Sequence, residues 1–303
     1  MRFARYLVLT GALLWVLPAA VLAQDGGDLP AEEQAKQHFN AALEYSKDPS
    51  KVTEMVSEYL LCLKKDPNFV DAYINLGVHY FGKKDYAEAE KNFKKAAELA
   101  PSDTTVFDNL GKTYVVLRKY ADAEKAFSSG ITANAAYLSG HKQLGDIFYK
   151  QQKYKESIAA LEKYTTAASD DHTAFYTLGK AYEKVGDDTK ALAAYKKTVQ
   201  IDPNYVNAHN ALGQMYLSQE KFSLAISSYR KSIQLNPKGY RAYYNLAIAV
   251  QSSDPENYDA SLQAWRDAYK ACKNVPKAKD LASQAQELIA ELEKVKKEAS
   301  LGG

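Results

Sequence analysis

Apolar and small positions recur along this chain at a fixed interval. Leu76-Gly77, Leu110-Gly111, Leu144-Gly145, Leu178-Gly179 and Leu212-Gly213 each stand 34 residues after the pair before, and Leu246-Ala247 follows at the same spacing. Three residues before each leucine come Tyr73, Phe107, His141, Phe175, His209 and Tyr243. Three after each glycine come Tyr80, Tyr114, Phe148, Tyr182 and Tyr216, with Val250 in the last copy. A small slot follows at Ala89, Ala123, Ser157, Ala191 and Ala225, and four residues on a large slot at Phe93, Phe127, Leu161, Tyr195 and Tyr229. Helical spacing within a fixed period predicts repeated helix-turn-helix modules rather than one globular core. A glycine inside a helix costs about 1 kcal/mol relative to alanine. Its recurrence predicts close approach of the two helices of a module, with the small slot facing the glycine.

The punctuation agrees. Gly82-Lys83-Lys84-Asp85 reads as a helix ending on glycine and a new one starting on an Asp N-cap, with Glu88 at capping-box spacing. Asp66-Pro67-Asn68, Asp202-Pro203-Asn204 and Asn236-Pro237 separate modules. The ends are degenerate. At the front, Phe39, Met55, Tyr59, Cys62 and Pro67 keep the register while Ala42-Leu43 replaces Leu-Gly; at the back, a two-residue insertion enters around Ser253-Asp254-Pro255. Ala278, Leu281, Ala282, Ala285, Leu288, Ile289, Leu292 and Val295 then form one helical stripe, read as a cap over the last apolar surface, with a partner-binding or coiled-coil helix as the alternative.

An aromatic, two residues, Leu-Gly, two residues, Tyr, then Ala-x3-Phe and a closing Pro101, Pro203 or Pro237 resembles the tetratricopeptide repeat, most clearly over residues 70–239. The resemblance implies an all-α, right-handed α-solenoid of stacked helix-turn-helix repeats. The organisation expected is a signal peptide at 1–23, a linker at 24–35, repeats at 36–69 (divergent), 70–103, 104–137, 138–171, 172–205, 206–239 and 240–275, a capping helix at 276–299 and a disordered tail at 300–303.

Composition changes this picture mainly at the N-terminus. Arg2 and Arg5 precede an apolar stretch from Tyr6 to Ala23, which reads as a secretory signal cleaved between Ala23 and Gln24, with an uncleaved anchor as the alternative. Cleavage leaves no integral membrane span and implies an exported protein, periplasmic or, alternatively, secreted. Without Arg2 and Arg5, basic residues equal the 37 acidic ones in number, so nothing points to nucleic acid. Cys62 and Cys272 lie too many repeats apart to meet and read as unpaired packing thiols.

The chain offers no catalytic, cofactor-binding or metal-ligating constellation. Ser139–Lys142 and Ser228–Lys231 match Ser-x-x-Lys without its companion motifs, and His141 and His209 occupy an aromatic packing slot. Functional expectation therefore rests on surface. In the family that the sequence resembles, the first helix of each repeat lines a concave groove for extended peptides. Carried over, the row is Asn75, Asn109, Lys112, Lys142, Tyr149, Tyr176, Lys180, Asn210, Tyr244 and Asn245, an ordinary solvated face being the alternative for each. Amides suit a peptide backbone and tyrosines supply rigid contact area. Lysines outnumber carboxylates in the row's centre, so a mildly acidic protein or peptide segment is the expected partner. The carboxylate clamp of chaperone-binding relatives is not reproduced: Lys142 could open it, but Asp146, Thr177, Asn207 and Ala211 stand in its other positions. The expected function is a non-enzymatic protein-interaction scaffold of the cell envelope that assists complex assembly. The alternative is a structural protein that self-associates into a homo-oligomer through its convex face or last helix.

Overall fold

The computed structural model describes residues 29–301, so the signal peptide expected at 1–23 lies outside the described residues. Those residues form α-helices and two short 3-10 turns, with no strand among them. The chain divides into two compact bodies, one ending at Leu76 and one beginning at Gly77.

In the first body, α1 (Ala31–Tyr45) packs antiparallel on α2 (Val52–Lys65), and α3 (Val70–Gly82) begins after them. Asp48 caps the 3-10 turn Pro49–Lys51 by accepting from the Ser50 amide at 2.9 Å. Ala35, Ala42, Met55, Tyr59 and Cys62 are buried, and the Phe39 ring lies 5.8 Å from Tyr59 and 4.8 Å from Phe69. The divergent first repeat thus keeps its aromatic core. The linker expected to reach residue 35 is shorter than that, because helix begins at Ala31 behind Pro30, with Glu32 and Glu33 in the first turn, where the helix dipole favours acid.

The second body continues with α4 (Tyr86–Leu99), α5 (Thr104–Val116), α6 (Tyr120–Ala133), α7 (Leu138–Lys150), α8 (Tyr154–Ala167), α9 (His172–Val185), α10 (Asp188–Ile201), α11 (Val206–Ser218), α12 (Phe222–Leu235), α13 (Tyr240–Ser253), α14 (Tyr258–Cys272) and α15 (Lys279–Leu301). From α4 onward each helix packs on its successor, and the first helices of neighbouring repeats also meet, α5 on α7, α7 on α9 and α11 on α13. This is the stacked helix-turn-helix architecture that the period predicts. Helix persists through Ser300 to Leu301, where a disordered tail was expected.

The glycines explain the spacing, but not with the partner expected. A Cβ on Gly77 would sit 2.5 Å from the Phe93 ring, and one on Gly111, Gly145, Gly179 or Gly213 would collide likewise with Phe127, Leu161, Tyr195 or Tyr229. The large slot, not the small one, lies across the glycine. The small slot flanks it: Ser157 Oγ donates to the Gly145 carbonyl at 2.7 Å. Both slots are fully enclosed throughout.

The intra-repeat turn forms where the sequence places it: α3 ends at Gly82 and Asp85 caps α4, accepting from the Glu88 amide at 3.3 Å. The left-handed residue of that turn is Lys84 (φ 64°). Arg118, Gln152, Gly186 and Glu220 repeat that conformation at the 34-residue spacing, and only Gly186 adopts it without steric cost. Among the described residues no helix is long and apolar enough to cross a membrane. Cys62 and Cys272 are buried and free.

Candidate functional site

The first helices of the second body carry one side chain two residues before each leucine: Asp108 on α5, Lys142 on α7, Tyr176 on α9, Asn210 on α11 and Tyr244 on α13. The first three each meet the residue that stands 29 positions later, just before the next first helix. Asp108 accepts from the Tyr137 hydroxyl and, 31 residues on, from Ser139 Oγ at 3.1 Å. Lys142 donates to Asp171 at 2.5 Å and, again 31 residues on, to Thr173 Oγ1 at 3.1 Å. The chemistry reverses, acid then base, while the geometry is kept. Tyr176 meets Tyr205 edge-to-face with centroids 5.1 Å apart. At Asn210 the ladder breaks. Its counterpart is Gly239, and Asn210 Oδ1 is buried with no hydrogen-bond partner among the described residues.

Asp171 is the most heavily used group of this row. As N-cap of α9 its Oδ1 accepts from the Thr173 and Ala174 amides at 3.0 and 3.1 Å, while Oδ2 takes Lys142 and the Tyr164 hydroxyl at 2.9 Å. Burial pushes this carboxyl up, but the bonds from Lys142, Thr173, the Ala174 amide and Tyr164 outweigh it and hold it well below the usual carboxylate range. Asp146 goes the other way. Burial raises it, and Lys142, Thr177 and Lys150 only partly compensate.

Between these groups lies Lys180. Its ammonium sits 4.2 Å from the Tyr149 ring centroid and 5.4 Å from that of Tyr176, both within cation–π range. It forms neither a hydrogen bond nor an ion pair with any described residue. Burial depresses its pKa, with Asp146 and Glu183 opposing. Glu183 is itself engaged, accepting from Tyr195 at 2.7 Å. Tyr149 also packs on Tyr154 at 5.5 Å, and Tyr176 on Tyr195 at 5.7 Å; burial lifts the Tyr176 phenol to about 12.

The other expected row residues fall as follows. Asn75 belongs to the first body, partly buried beside the Tyr59 hydroxyl, whose pKa burial raises to about 12. Asn109 is partly buried, and its carbonyl accepts from Thr113 at 2.7 Å. Lys112 is exposed and paired with Asp108. Tyr244 is occupied from within the chain: its hydroxyl donates to Gln284 of α15 at 2.7 Å and its ring meets Trp265 edge-on. Asn245 is the polar neighbour of the buried Tyr229 hydroxyl, which has no hydrogen-bond partner at bonding distance. The mildly basic centre expected from sequence is therefore reduced, since Lys112 and Lys142 are neutralised while Lys180 is not. The partners Tyr137, Asp171 and Thr173 were missed; the recurring offsets of 29 residues, for Tyr137 and Asp171, and 31 residues, for Thr173, are the signal that would have found them.

No group of His, Cys, Asp and Glu among the described residues is placed to hold a metal.

Comparison with known proteins agrees with this geometry. Family models described as tetratricopeptide repeats match residues 70–103, 109–171, 184–219 and 213–253, together more than half of the chain. No curated protein sequence matches. Among solved structures, the C-terminal part of a TPR repeat-containing protein from Cytophaga hutchinsonii superposes with a TM-score of 0.62 at 20% identity, over 82% of this chain and 98% of that one. YrrB, described as a TPR protein with an unusual peptide-binding site, gives 0.55 at 22% identity over 61% of this chain and 95% of its own. MamA from Desulfovibrio magneticus RS-1 gives 0.53 at 24% identity, over 56% and 96%. At these identities the likeness extends to the fold.

Proposed function

The chain belongs to the tetratricopeptide-repeat family, and from that premise we propose that it is a non-enzymatic scaffold whose first helices in the second body hold an extended segment of another protein. The observation that carries this reading is the broken ladder at Asn210. Three neighbouring side chains have partners supplied by the chain, and the fourth, an amide, does not. An unmet buried polar group costs about 1–3 kcal/mol. A modest turn of the side chain, which as a whole is only partly buried, offers that amide to the backbone of a passing peptide. Peptide recognition by YrrB, on the same fold, supports the reading by analogy.

The location proposed is outside the cytoplasm, periplasmic with secretion as the alternative, on the strength of Arg2, Arg5 and the apolar run Tyr6–Ala23. N-terminal sequencing of the chain isolated from its cells tests this, an intact Met1 on a cytoplasmic protein being the contrary result.

Capture of partners from an envelope extract tests the binding role. Immobilised wild type is compared with a Tyr149→Ala/Asn210→Ala variant of matched thermal stability. The wild type should retain proteins that the variant loses. Identical captured sets, or none, would refute the proposal.

A further inference from the structure

Among the described residues, Lys180 is the partly buried ammonium of the first-helix row that is gripped by aromatic rings and has no anion at bonding distance. Lys142, one repeat earlier, is also partly buried, but Asp171 neutralises it. Lys150 and Lys184 are exposed, where water serves an ammonium well. Lys180 has lost part of that water to the Tyr149 and Tyr176 faces, and its N–H donors meet no acceptor among the described residues. Arrested in this way it is preorganised, with the side-chain entropy of a lysine already spent before any ligand arrives.

Resting on the binding role above, we propose that Lys180, framed by Tyr149 and Tyr176, is a subsite for the carboxylate of an aspartate or glutamate side chain on the bound protein segment. Charge complementarity selects the occupant. A single ammonium matches a single negative charge. Asp146 and Glu183 act electrostatically on Lys180 and oppose any incoming anion, a dianionic phosphate about twice as strongly as a monoanionic carboxylate. A monoanion with an apolar stem, able to lie on the tyrosine rings, fits better. The arrangement differs from the clamp of chaperone-binding relatives, which uses Lys and Asn on several helices to hold a chain terminus. Here a side chain anywhere along the segment is the ligand.

Two dye-labelled peptides test this, one alternating alanine with glutamate and one alternating alanine with glutamine, each titrated against the full chain by fluorescence anisotropy. The glutamate peptide should bind about tenfold tighter, as for one charge-assisted hydrogen bond. Lys180→Gln should reduce the ratio to about one, Lys180→Arg should keep it, and Lys184→Gln, one turn further on α9, should leave it near the wild-type value. Retention of the preference by Lys180→Gln overturns the proposal, as does an equal loss in Lys180→Gln and Lys184→Gln, which is the signature of diffuse charge. Equal binding of both peptides, weakened for both by Tyr149→Ala, overturns the carboxylate subsite while leaving the binding row intact. Binding of neither overturns both. A phosphoserine counterpart that binds tighter than the glutamate peptide overturns the choice of a monoanion.

Discussion

Asp171 should be the most sensitive single carboxylate in the second body. One oxygen caps α9 and the other ties α7 and α8 to it, through Lys142 and Tyr164. The substitutions Asp171→Asn and Asp171→Ala separate the two functions. Asparagine is as good an N-cap as aspartate, so Asp171→Asn keeps the Thr173 and Ala174 contacts. Its NH2 then faces the Lys142 ammonium and the Tyr164 hydroxyl, two donors against a donor. The side chains of Lys142 and Asp171 are 25% and 18% exposed, so water replaces the lost acceptor only in part. Hydrogen bonds to charged groups contribute about 1.5–3 kcal/mol each, and solvent screening discounts that here. A loss of about 2 kcal/mol is expected for Asp171→Asn and about 3 kcal/mol for Asp171→Ala, the difference being the cap.

Urea unfolding followed by far-UV circular dichroism measures both, and hydrogen exchange at the α9 amides locates the loss, since repeat arrays open locally. The pH dependence has a definite sign. A carboxyl with a folded pKa below the unfolded value of about 3.9 stabilises fully above that value and loses its contribution as pH falls through the depressed folded value. The gap between wild type and Asp171→Asn should therefore be constant at neutral pH and close in acid, beginning below about pH 4. Asp146, raised by burial, contributes oppositely in both proteins and favours the fold as it protonates. If Asp171→Asn unfolds within about 0.5 kcal/mol of wild type at neutral pH, the contact is an ordinary surface pair and the reasoning fails.

Other consequences are more local. Gly179→Ala should destabilise by up to about 2 kcal/mol in urea: a Cβ 2.7 Å from the enclosed Tyr195 ring overpacks by about 1–3 kcal/mol against a helix-propensity gain near 1 kcal/mol, and a net gain in stability would contradict the packing argument. Gln152→Gly should stabilise by about 0.5–1 kcal/mol and Gly186→Ala should destabilise by about 1 kcal/mol, both read from thermal melts, because both positions adopt left-handed backbone. Leu292→Asp should loosen α15 at a cost of about 3 kcal/mol, exposing Leu262 and Trp265, and limited proteolysis should then remove α15 faster than from wild type.

Much of the fold was legible because the interior of each repeat packs against itself. Leu178, Gly179, Tyr182, Ala191 and Tyr195 lie within a few turns of one another in sequence, and their spacing alone specifies the helix pair. Errors arose where two readings of one residue compete. Gly82 ends its helix as the sequence indicates, but the left-handed backbone that a glycine would adopt most easily falls two residues later, on Lys84. The small slot looked like the natural neighbour of Gly77, yet a ring packed against a bare Cα buries more area than a methyl group does. The partners of Tyr244 and Lys112, Gln284 and Asp108, were not legible because they are chosen by three-dimensional proximity and side-chain direction.

The row on the first helices was legible in position but not in state, and the reason is physical. A slot inside a repeat has the same surroundings in every copy, so the same residue class recurs. The slot two before the leucine faces the junction to the next repeat, where any complementary pair will serve: tyrosine with aspartate, lysine with aspartate, tyrosine with tyrosine. Local chemistry there fixes only that some pairing occurs. Lys142 and Lys180 look equivalent as letters, both lysines on the exposed side of a first helix, and differ because Asp171 stands within 2.5 Å of the one and tyrosine rings surround the other. A junction satisfied from within the chain holds the stack together, whereas one left without a protein partner keeps its polar capacity open to solvent or ligand. On the proposed binding role, that open capacity lies at Lys180 and Asn210, while Lys112 and Lys142 are already paired with Asp108 and Asp171.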